Sequence, residues 1–329
     1  MILAGDIGGT KTVLALVEPA ADGQLSVVDE QIFASQDFAT FDEILQLFLD
    51  GKAKPQAACF GIAGPVIEQR CQTTNLPWLL DGDELKRLLE TPHVRLLNDL
   101  EAMALGMLHL QAGEWIELNP HARQQTGHCA VIAAGTGLGE AILAQDNHGF
   151  RAMATEGGHC SFAPMNQLQD GLLAYLRQLF PAHVSYERIL SGIGFSHVYD
   201  YLLAANFAPA CPIVPDHRDT GIDRNAVISR LGVDAEDPLC AATVRLWAEI
   251  YGAEAGNLAL KCFASGGVFI GGGIGPKIRP VLESGVFMQA FVKKGRFENF
   301  LGSLSVKLAL NPKTPLMGAM HYFDHQTLS

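Results

Sequence analysis

Two apolar runs open the chain, Ile2-Leu3-Ala4 and Thr12-Val13-Leu14-Ala15-Leu16-Val17, and between them lies Gly5-Asp6-Ile7-Gly8-Gly9-Thr10-Lys11. The second run is rich in residues that suit a pleated strand, so the opening predicts strand, glycine turn, strand. The turn Ala21-Asp22-Gly23 leads into another strand at Leu25-Ser26-Val27-Val28. Phe41, Ile44, Leu45, Phe48 and Leu49 then recur at helical spacing, and Gly51 closes that helix. Ala57-Ala58-Cys59-Phe60-Gly61-Ile62 predicts a buried strand running into the turn Ala63-Gly64-Pro65. Small residues there allow either tight strand packing or close approach of a ligand. After a polar loop at Thr73-Thr74-Asn75-Leu76-Pro77-Trp78, Asp81 and Glu84 stand at capping-box spacing ahead of Leu85, Leu88 and Leu89. A strand at Val94-Arg95-Leu96-Leu97 passes through Asn98-Asp99 into a helix with Leu100, Met103, Ala104, Met107 and Leu108 on its apolar face.

The opening pattern returns at residues 130–143. Ala130-Val131-Ile132-Ala133-Ala134 and Glu140-Ala141-Ile142-Leu143 flank Gly135-Thr136-Gly137-Leu138-Gly139, which predicts a second glycine hairpin and a duplicated unit. Residues 170–180 predict a helix ending before Pro181, and Glu187 lies near a further helix boundary. The stretch 212–238 is polar and proline-rich and reads as a surface excursion without chemistry. Gly266-Gly267-Val268-Phe269-Ile270 and Gly271-Gly272-Gly273 join a short buried strand to a helix with Pro276 near its first turn. A last helix over 315–325 carries Leu316, Met317, Met320 and Phe323, with Gly318 and Ala319 small enough for close helix packing.

Composition narrows the class. A chain of 329 residues has room for two domains, and 48% apolar with 18% charged residues is that of a soluble globular protein. The formal net charge of −12 leaves no basic footprint for nucleic acid or an anionic membrane. The N-terminus lacks a basic targeting region and no stretch makes a clean membrane span. Seven scattered cysteines without a CxxC pair suit reduced thiols in a cytoplasmic compartment and argue against a thiolate zinc site.

The candidate chemistry sits in the glycine turns. Their backbone N–H groups can approach a phosphate oxygen, Thr10 and Thr12 can donate hydroxyls, Lys11 can pair with phosphate, and Asp6 can hold hydrated magnesium. Gly5 followed by Thr10-Lys11-Thr12 has the spacing of a P-loop but lacks its second glycine, and a strand follows where P-loops and Rossmann loops need a helix. Asp99 reads either as a helix N-cap or as a carboxylate at an α/β ligand crevice. Thr74 and Asn75 suit polyol hydroxyls or a turn, and Trp78 suits a sugar face or the core. Glu156-Gly157-Gly158-His159 places a carboxylate and an imidazole in a glycine-flexed loop.

Five separated motifs, at residues 5–12, 98–106, 130–143, 156–159 and 266–276, occur in an order that resembles the sugar-kinase/heat-shock-ATPase/actin superfamily. Over essentially its whole length the chain resembles the bacterial glucokinases. The resemblance implies an actin-like ATPase fold: two duplicated ribonuclease-H-like α/β domains with an interdomain cleft. A small domain over 1–108, completed by 310–329, and a large one over 109–309 are expected. It implies ATP-dependent phosphorylation of glucose at its 6-hydroxyl, with magnesium. By resemblance Asp99 is the general base, and Asn98, Asp99, Glu156, His159 and Glu187 hold glucose, with Asn75, Trp78, Gly137 and the loop Ala63-Gly64-Pro65 near the sugar. Gly5, Asp6, Ile7, Gly8, Gly9 and Thr10 hold phosphate together with Gly135 and Thr136, Gly271, Gly272 and Gly273 meet the adenosine, and Asp6 holds magnesium through water. Lys11 departs from the Asn that many bacterial glucokinases carry. A related zinc-binding group has a cysteine-rich motif after Glu-x-x-His, whereas Cys160-Ser161-Phe162-Ala163-Pro164-Met165-Asn166 has one cysteine, so no structural zinc is expected. The family implies a homodimer. A kinase for mannose or N-acetylglucosamine is the alternative; a repressor would need a DNA-binding module, for which the residues before Asp6 leave no room.

Overall fold

The computed structural model describes residues 1–19, 25–73, 75–219 and 221–323. The turn at 21–23, Thr74 and the end of the expected 315–325 helix lie outside them. Two compact units emerge from the contacts. Met1–Gln111, Gly149–Ala154 and the segment from Asn311 form the first, and Ala112–His148 with Thr155–Leu310 the second.

In the first unit β1 (Ile2–Ile7) and β2 (Lys11–Pro19) make the expected hairpin, and β3 (Leu25–Ala34) pairs with β2. Helix α1 (Phe41–Leu49) starts where Thr40 accepts from the Glu43 amide, and β4 (Ala57–Ile62) follows. A small ribbon of β5 (Arg70–Gln72) and β6 (Leu79–Asp81) leads into α2 (Gly82–Leu89), capped by Asp81. Then come β7 (Val94–Asn98) and α3 (Asp99–Met107). The sheet order is β3-β2-β1-β4-β7, with β1, β4 and β7 parallel. β1 is buried on both faces because its side chains alternate: Leu3 and Ile7 enter one core layer, Ile2 and Ala4 the other.

The second unit repeats this plan. β8 (Trp115–Glu117) precedes a hairpin of β9 (Cys129–Ala134) and β10 (Leu138–Asp146); β11 (Gly149–Thr155) is next in the chain. Helices α4 (Gln167–Leu179), α5 (Gly194–Ala204), α6 (Arg224–Val233) and α7 (Pro238–Lys261) lead to β12 (Gly267–Gly271). Short helices α8 (Arg279–Glu283), α9 (Val286–Val292) and α10 (Glu298–Leu301) precede β13 (Val306–Ala309). Five strands run β10-β9-β12-β13-β8, with β9, β12 and β13 parallel. An antiparallel hairpin followed by two parallel strands thus occurs in each unit, the duplication that the two glycine turns predict.

The last helix, α11 (Thr314–His321), places Leu316, Ala319 and Met320 against Ile2, Ala4 and Val13 of the first unit. It meets α3 backbone to backbone: a Cβ on Gly318 would overlap the Ala102 carbonyl, and one on Gly106 the Thr314 carbonyl. This contact corrects the expected face of α3. Ala102, Ala104, Gly106 and Met107 are buried, while Leu100 and Met103 are only half-buried, because the close partner selects small residues over large ones.

Candidate active site

In the first unit the parallel register aligns three strand ends. Ile7 pairs with Ile62, and Ile62 with Asn98, so the Gly8-Gly9-Thr10 turn, the Ala63-Gly64 turn and the start of α3 share one sheet edge. Ligand sites of α/β sheets lie at this carboxyl edge. The hairpin tip is fastened: Gly8 N–H donates to the Lys11 carbonyl at 3.0 Å, and Ser35 Oγ donates to the Gly8 carbonyl at 2.8 Å. Thr12 is fully buried and shares a 3.0 Å hydrogen bond with Ser35, so its hydroxyl serves the turn and is withdrawn from any phosphate, unlike the exposed Thr10. Asp6 is half-buried at the end of β1; burial raises its carboxyl above the usual range and Lys11 pulls it back.

Asn98, not Asp99, caps α3. Its Oδ1 accepts from Leu100 N–H at 2.8 Å, and Glu101 returns to the Asn98 N–H at 3.0 Å, a reciprocal box that leaves Asp99 as the first helical residue. Asn98 Nδ2 donates to the Gly64 carbonyl at 3.1 Å, so one amide fixes the helix start against the Ala63-Gly64 turn. Asp99 Oδ1 also accepts from Leu100 N–H, at 2.9 Å. Asn75 is exposed beside the hairpin; a Cβ on Gly9 would stand 2.7 Å from the Asn75 Cβ. Two points that the sequence leaves open are decided in this unit. Trp78 is 2% exposed, donates to the Phe38 carbonyl and packs on Phe41, so it is a core aromatic with no face for a sugar. Gly61 is needed for packing, since its Cβ would stand 2.7 Å from that of Ala102.

In the second unit the Gly135-Thr136-Gly137 turn joins β9 to β10, with Thr136 exposed at its tip. Gly192 N–H donates to the Gly135 carbonyl at 2.9 Å, and Ile274 N–H to the Ala134 carbonyl at 3.2 Å. Gly272 has φ 82°, and a Cβ there would overlap Ala134, so the Gly271-Gly272-Gly273 turn can lie against the hairpin only as glycine. Glu187, in a short 3₁₀ helix (Tyr186–Arg188), reaches the same hairpin: its Oε2 accepts from Leu138 N–H at 3.0 Å and crowds Gly137. His159 Nδ1 lies 3.9 Å from Glu187 Oε1. Glu156 and His159 flank the two glycines of a one-turn 3₁₀ helix (Gly157–His159), and both are exposed.

Beside Ile274 opens a cavity of about 460 Å³, lined by Gly192, Phe195, Asn225, Ser229, Ile274 and Lys277 among others. Part of its wall is α6, in the stretch that the sequence marks as a surface excursion. Asn225 is held in the wall by Ser196, whose N–H and hydroxyl donate to its Oδ1 at 3.1 and 2.6 Å. The fold also collects Cys211, Asp237 and Cys240, whose ligand atoms lie within 4.8 Å of one another although the chain scatters them. Asp237 is the N-cap of α7, accepting from the Leu239 and Cys240 amides, and burial with the neighbouring carboxylate raises the Cys240 thiol.

Comparison with known proteins decides the family. The glucokinase family model matches residues 3–326. The chain belongs to the glucokinase family. It is 37% identical over 333 residues to the glucokinase of Nostoc punctiforme, covering 97% of each chain. The structure of a glucokinase from an Antarctic psychrotroph superposes with a TM-score of 0.85 at 32% identity, again over 97% of each chain. A ROK-family glucokinase of Streptomyces griseus, solved with glucose and AMPPNP, has a TM-score of 0.62 at 23% identity over 97% of each chain and shows the fold alone. The fold is therefore the actin-like ATPase fold expected of a glucokinase. Two site features escaped the sequence. Ser35 sits far from the hairpin in the chain, and only the pairing of β2 with β3 brings it there. Asn225 and Ser229 lie in a polar stretch whose helical cap at Asp223 was the one available signal.

Proposed function

We propose that the protein transfers the γ-phosphoryl group of ATP to the 6-hydroxyl of glucose, giving glucose 6-phosphate and ADP. The observation that carries this is the junction of Glu187 with the second glycine hairpin: the carboxylate we assign to the sugar accepts from Leu138 N–H, directly after the Gly135-Thr136-Gly137 turn that we assign to phosphate. The cavity beside Gly271–Ile274 suits an adenosine, with Phe195 and Ile274 for the flat ring and Asn225 and Ser229 for its polar edge. A half-buried carboxylate whose pKa is raised by burial gains from a cation, so Asp6 fits magnesium held through water. Magnesium, when bound, offsets charge on the β- and γ-phosphates.

The chain's own groups then have separate tasks. The Gly8-Gly9-Thr10 and Gly135-Thr136-Gly137 turns hold phosphate through backbone N–H groups and the exposed threonines. Asp99 accepts the proton of the 6-hydroxyl; a carboxylate is a weak base toward an alcohol, so this transfer comes late. Asn98 orients that end of α3 and keeps one amide hydrogen for the sugar beyond its structural bonds. Glu156, His159 and Glu187, with Asn75, read the other hydroxyls, and a mismatched epimer leaves buried polar groups unpaired. All seven thiols are free, which suits a reducing cytoplasm. A homodimer without structural zinc completes the proposal.

Coupled ADP release measured across glucose, mannose and N-acetylglucosamine tests the sugar. Glucose is expected to give the highest kcat/KM. Faster turnover of N-acetylglucosamine would replace this reading with the amino-sugar alternative.

A further inference from the structure

Below the loops that carry Glu156, His159 and Glu187 lies a polar cluster in the core of the second unit. Glu140 of β10 is 1% exposed and Glu254 of α7 is 0% exposed. The charge of Glu254 acts on the Glu140 carboxyl across this buried cluster. Glu254 has its own donors: Lys261 Nζ at 3.2 Å on Oε1 and Asn257 Nδ2 at 2.8 Å on Oε2. Asn257 is held in turn by Lys294 Nζ at 2.6 Å. Glu140 Oε1, by contrast, is buried and has no hydrogen-bond partner among the described residues. Two ionised carboxylates can only accept, so they repel each other; a proton on Glu140 makes it a donor and satisfies both.

The cluster touches both sugar loops. A Cβ on Gly157, next to Glu156, would overlap Glu140 Oε2, so the loop backbone rests directly on this carboxyl group. Thr155 ties the same segment to β10, donating to the Glu140 carbonyl at 2.9 Å and accepting from Gly157 N–H at 3.1 Å. On the other side the Tyr186 hydroxyl, one residue from Glu187, accepts at 3.1 Å from Asn257 Nδ2, the same nitrogen that donates to Glu254. Tyr186 N–H donates to the Cys160 carbonyl at 3.0 Å, which joins the two loops to each other.

We propose that Glu140 and Glu254 share one proton and act as a positioning pair for the Glu156–His159 and Tyr186–Glu187 loops, so that glucose affinity depends on that proton. The proposal rests on the glucokinase reading of those loops. Neither residue is assigned contact with substrate. Around Glu140 the titratable neighbours are Glu254, Lys261, Tyr251 and Cys262. Around Glu254 they are Tyr186, Lys261 and Lys294, and Cys160 also faces Lys261. Burial, then the charge of Glu254, push the Glu140 carboxyl up to about 8, with Lys261 opposing. The proton is therefore held at neutral pH and lost above it, and its loss puts a second negative charge under Gly157.

The test is the pH dependence of the two Michaelis constants from about pH 7 to about pH 9.5, in wild type and Glu140→Gln. In the wild type KM for glucose should rise up to about tenfold per pH unit above the transition, while KM for ATP stays level. The side-chain amide introduced by E140Q donates to Glu254 at every pH, so this variant should keep the neutral KM throughout. Infrared difference spectra of wild type supply a readout that needs neither turnover nor a folded variant. They should show the carbonyl stretch of a protonated buried carboxyl at neutral pH, lost as pH rises through the same transition. A level KM for glucose in wild type, an unchanged rise in E140Q, or no protonated carboxyl at neutral pH would each overturn the pair. The infrared result stands apart from the kinase reading, because it is indifferent to which substrate the protein uses.

Discussion

Replacing Asp99 by Asn separates the base from the helix cap. Asn98 makes the capping box with Glu101, so the start of α3 survives the change. Asp99 contributes a negative charge at the first helical position and accepts from Leu100 N–H, a donor that Asn98 Oδ1 also holds. Loss of a charge at a helix N-terminus costs about 0.3–1 kcal/mol, and Asn retains an oxygen acceptor. Loss of a general base costs at least about 100-fold in rate, or about 2.7 kcal/mol in the barrier. Catalysis should thus suffer several times more than folding. Coupled ADP release at saturating glucose and ATP gives kcat, and a thermal melt of the same sample gives Tm. D99N is expected to lose at least about 100-fold in kcat, with Tm moving by no more than a few degrees and KM for ATP unchanged. Near-normal turnover would remove Asp99 from the chemistry. Equal damage to activity and stability would make it a structural residue after all.

Three further outcomes follow from the packing. Gly137→Ala places a methyl group on Glu187 Oε2, so Glu187 must leave Leu138 N–H; KM for glucose should rise at least about tenfold, the cost of roughly one lost charged hydrogen bond, and an unchanged KM would show that Glu187 does not read the sugar. Gly318→Ala drives a methyl into the Ala102 carbonyl, and forcing α3 from α11 should cost about 1–3 kcal/mol or more in urea unfolding; wild-type stability would contradict the backbone contact. Glu140→Gln should stabilise the protein increasingly with pH. The wild-type carboxyl is raised to about 8 when folded, so its protonation favours the folded state below the unfolded pKa and that advantage is lost as pH rises to about 8. Gln does not titrate, and its gain over wild type should grow by up to ~1.4 kcal/mol per pH unit across that window. A difference constant from acid to alkaline pH would refute the shift.

What the sequence made legible is what short-range pattern encodes. Both glycine hairpins, helix α1 and the strand leading into Asn98 follow from periodicity within a few residues. What it leaves open or misreads is all tertiary. Thr12 has the right hydroxyl, yet Ser35 claims it once β3 folds over. Trp78 is equally fit for a sugar face or a core, and Phe38 and Phe41 settle which. The buried face of α3 is read wrongly because its neighbour is a helix with Gly318 at the contact, which no pattern within α3 reveals. Residues 223–234 read as too polar for a site when taken alone; as α6 they wall the cavity beside Ile274. Glu140 shows the same limit from the opposite side. In the sequence it is one polar residue in a strand, and only its depth and its neighbour Glu254 make it a titrating group.

Identifying the product decides whether the protein phosphorylates glucose at its 6-hydroxyl. The protein is incubated with glucose labelled at carbon 6, ATP and magnesium, and followed by phosphorus and carbon magnetic resonance. One ADP is expected for each new phosphate ester, with the ester on carbon 6 and no turnover when glucose is left out. ADP release independent of glucose, or phosphate on another carbon, would contradict this assignment.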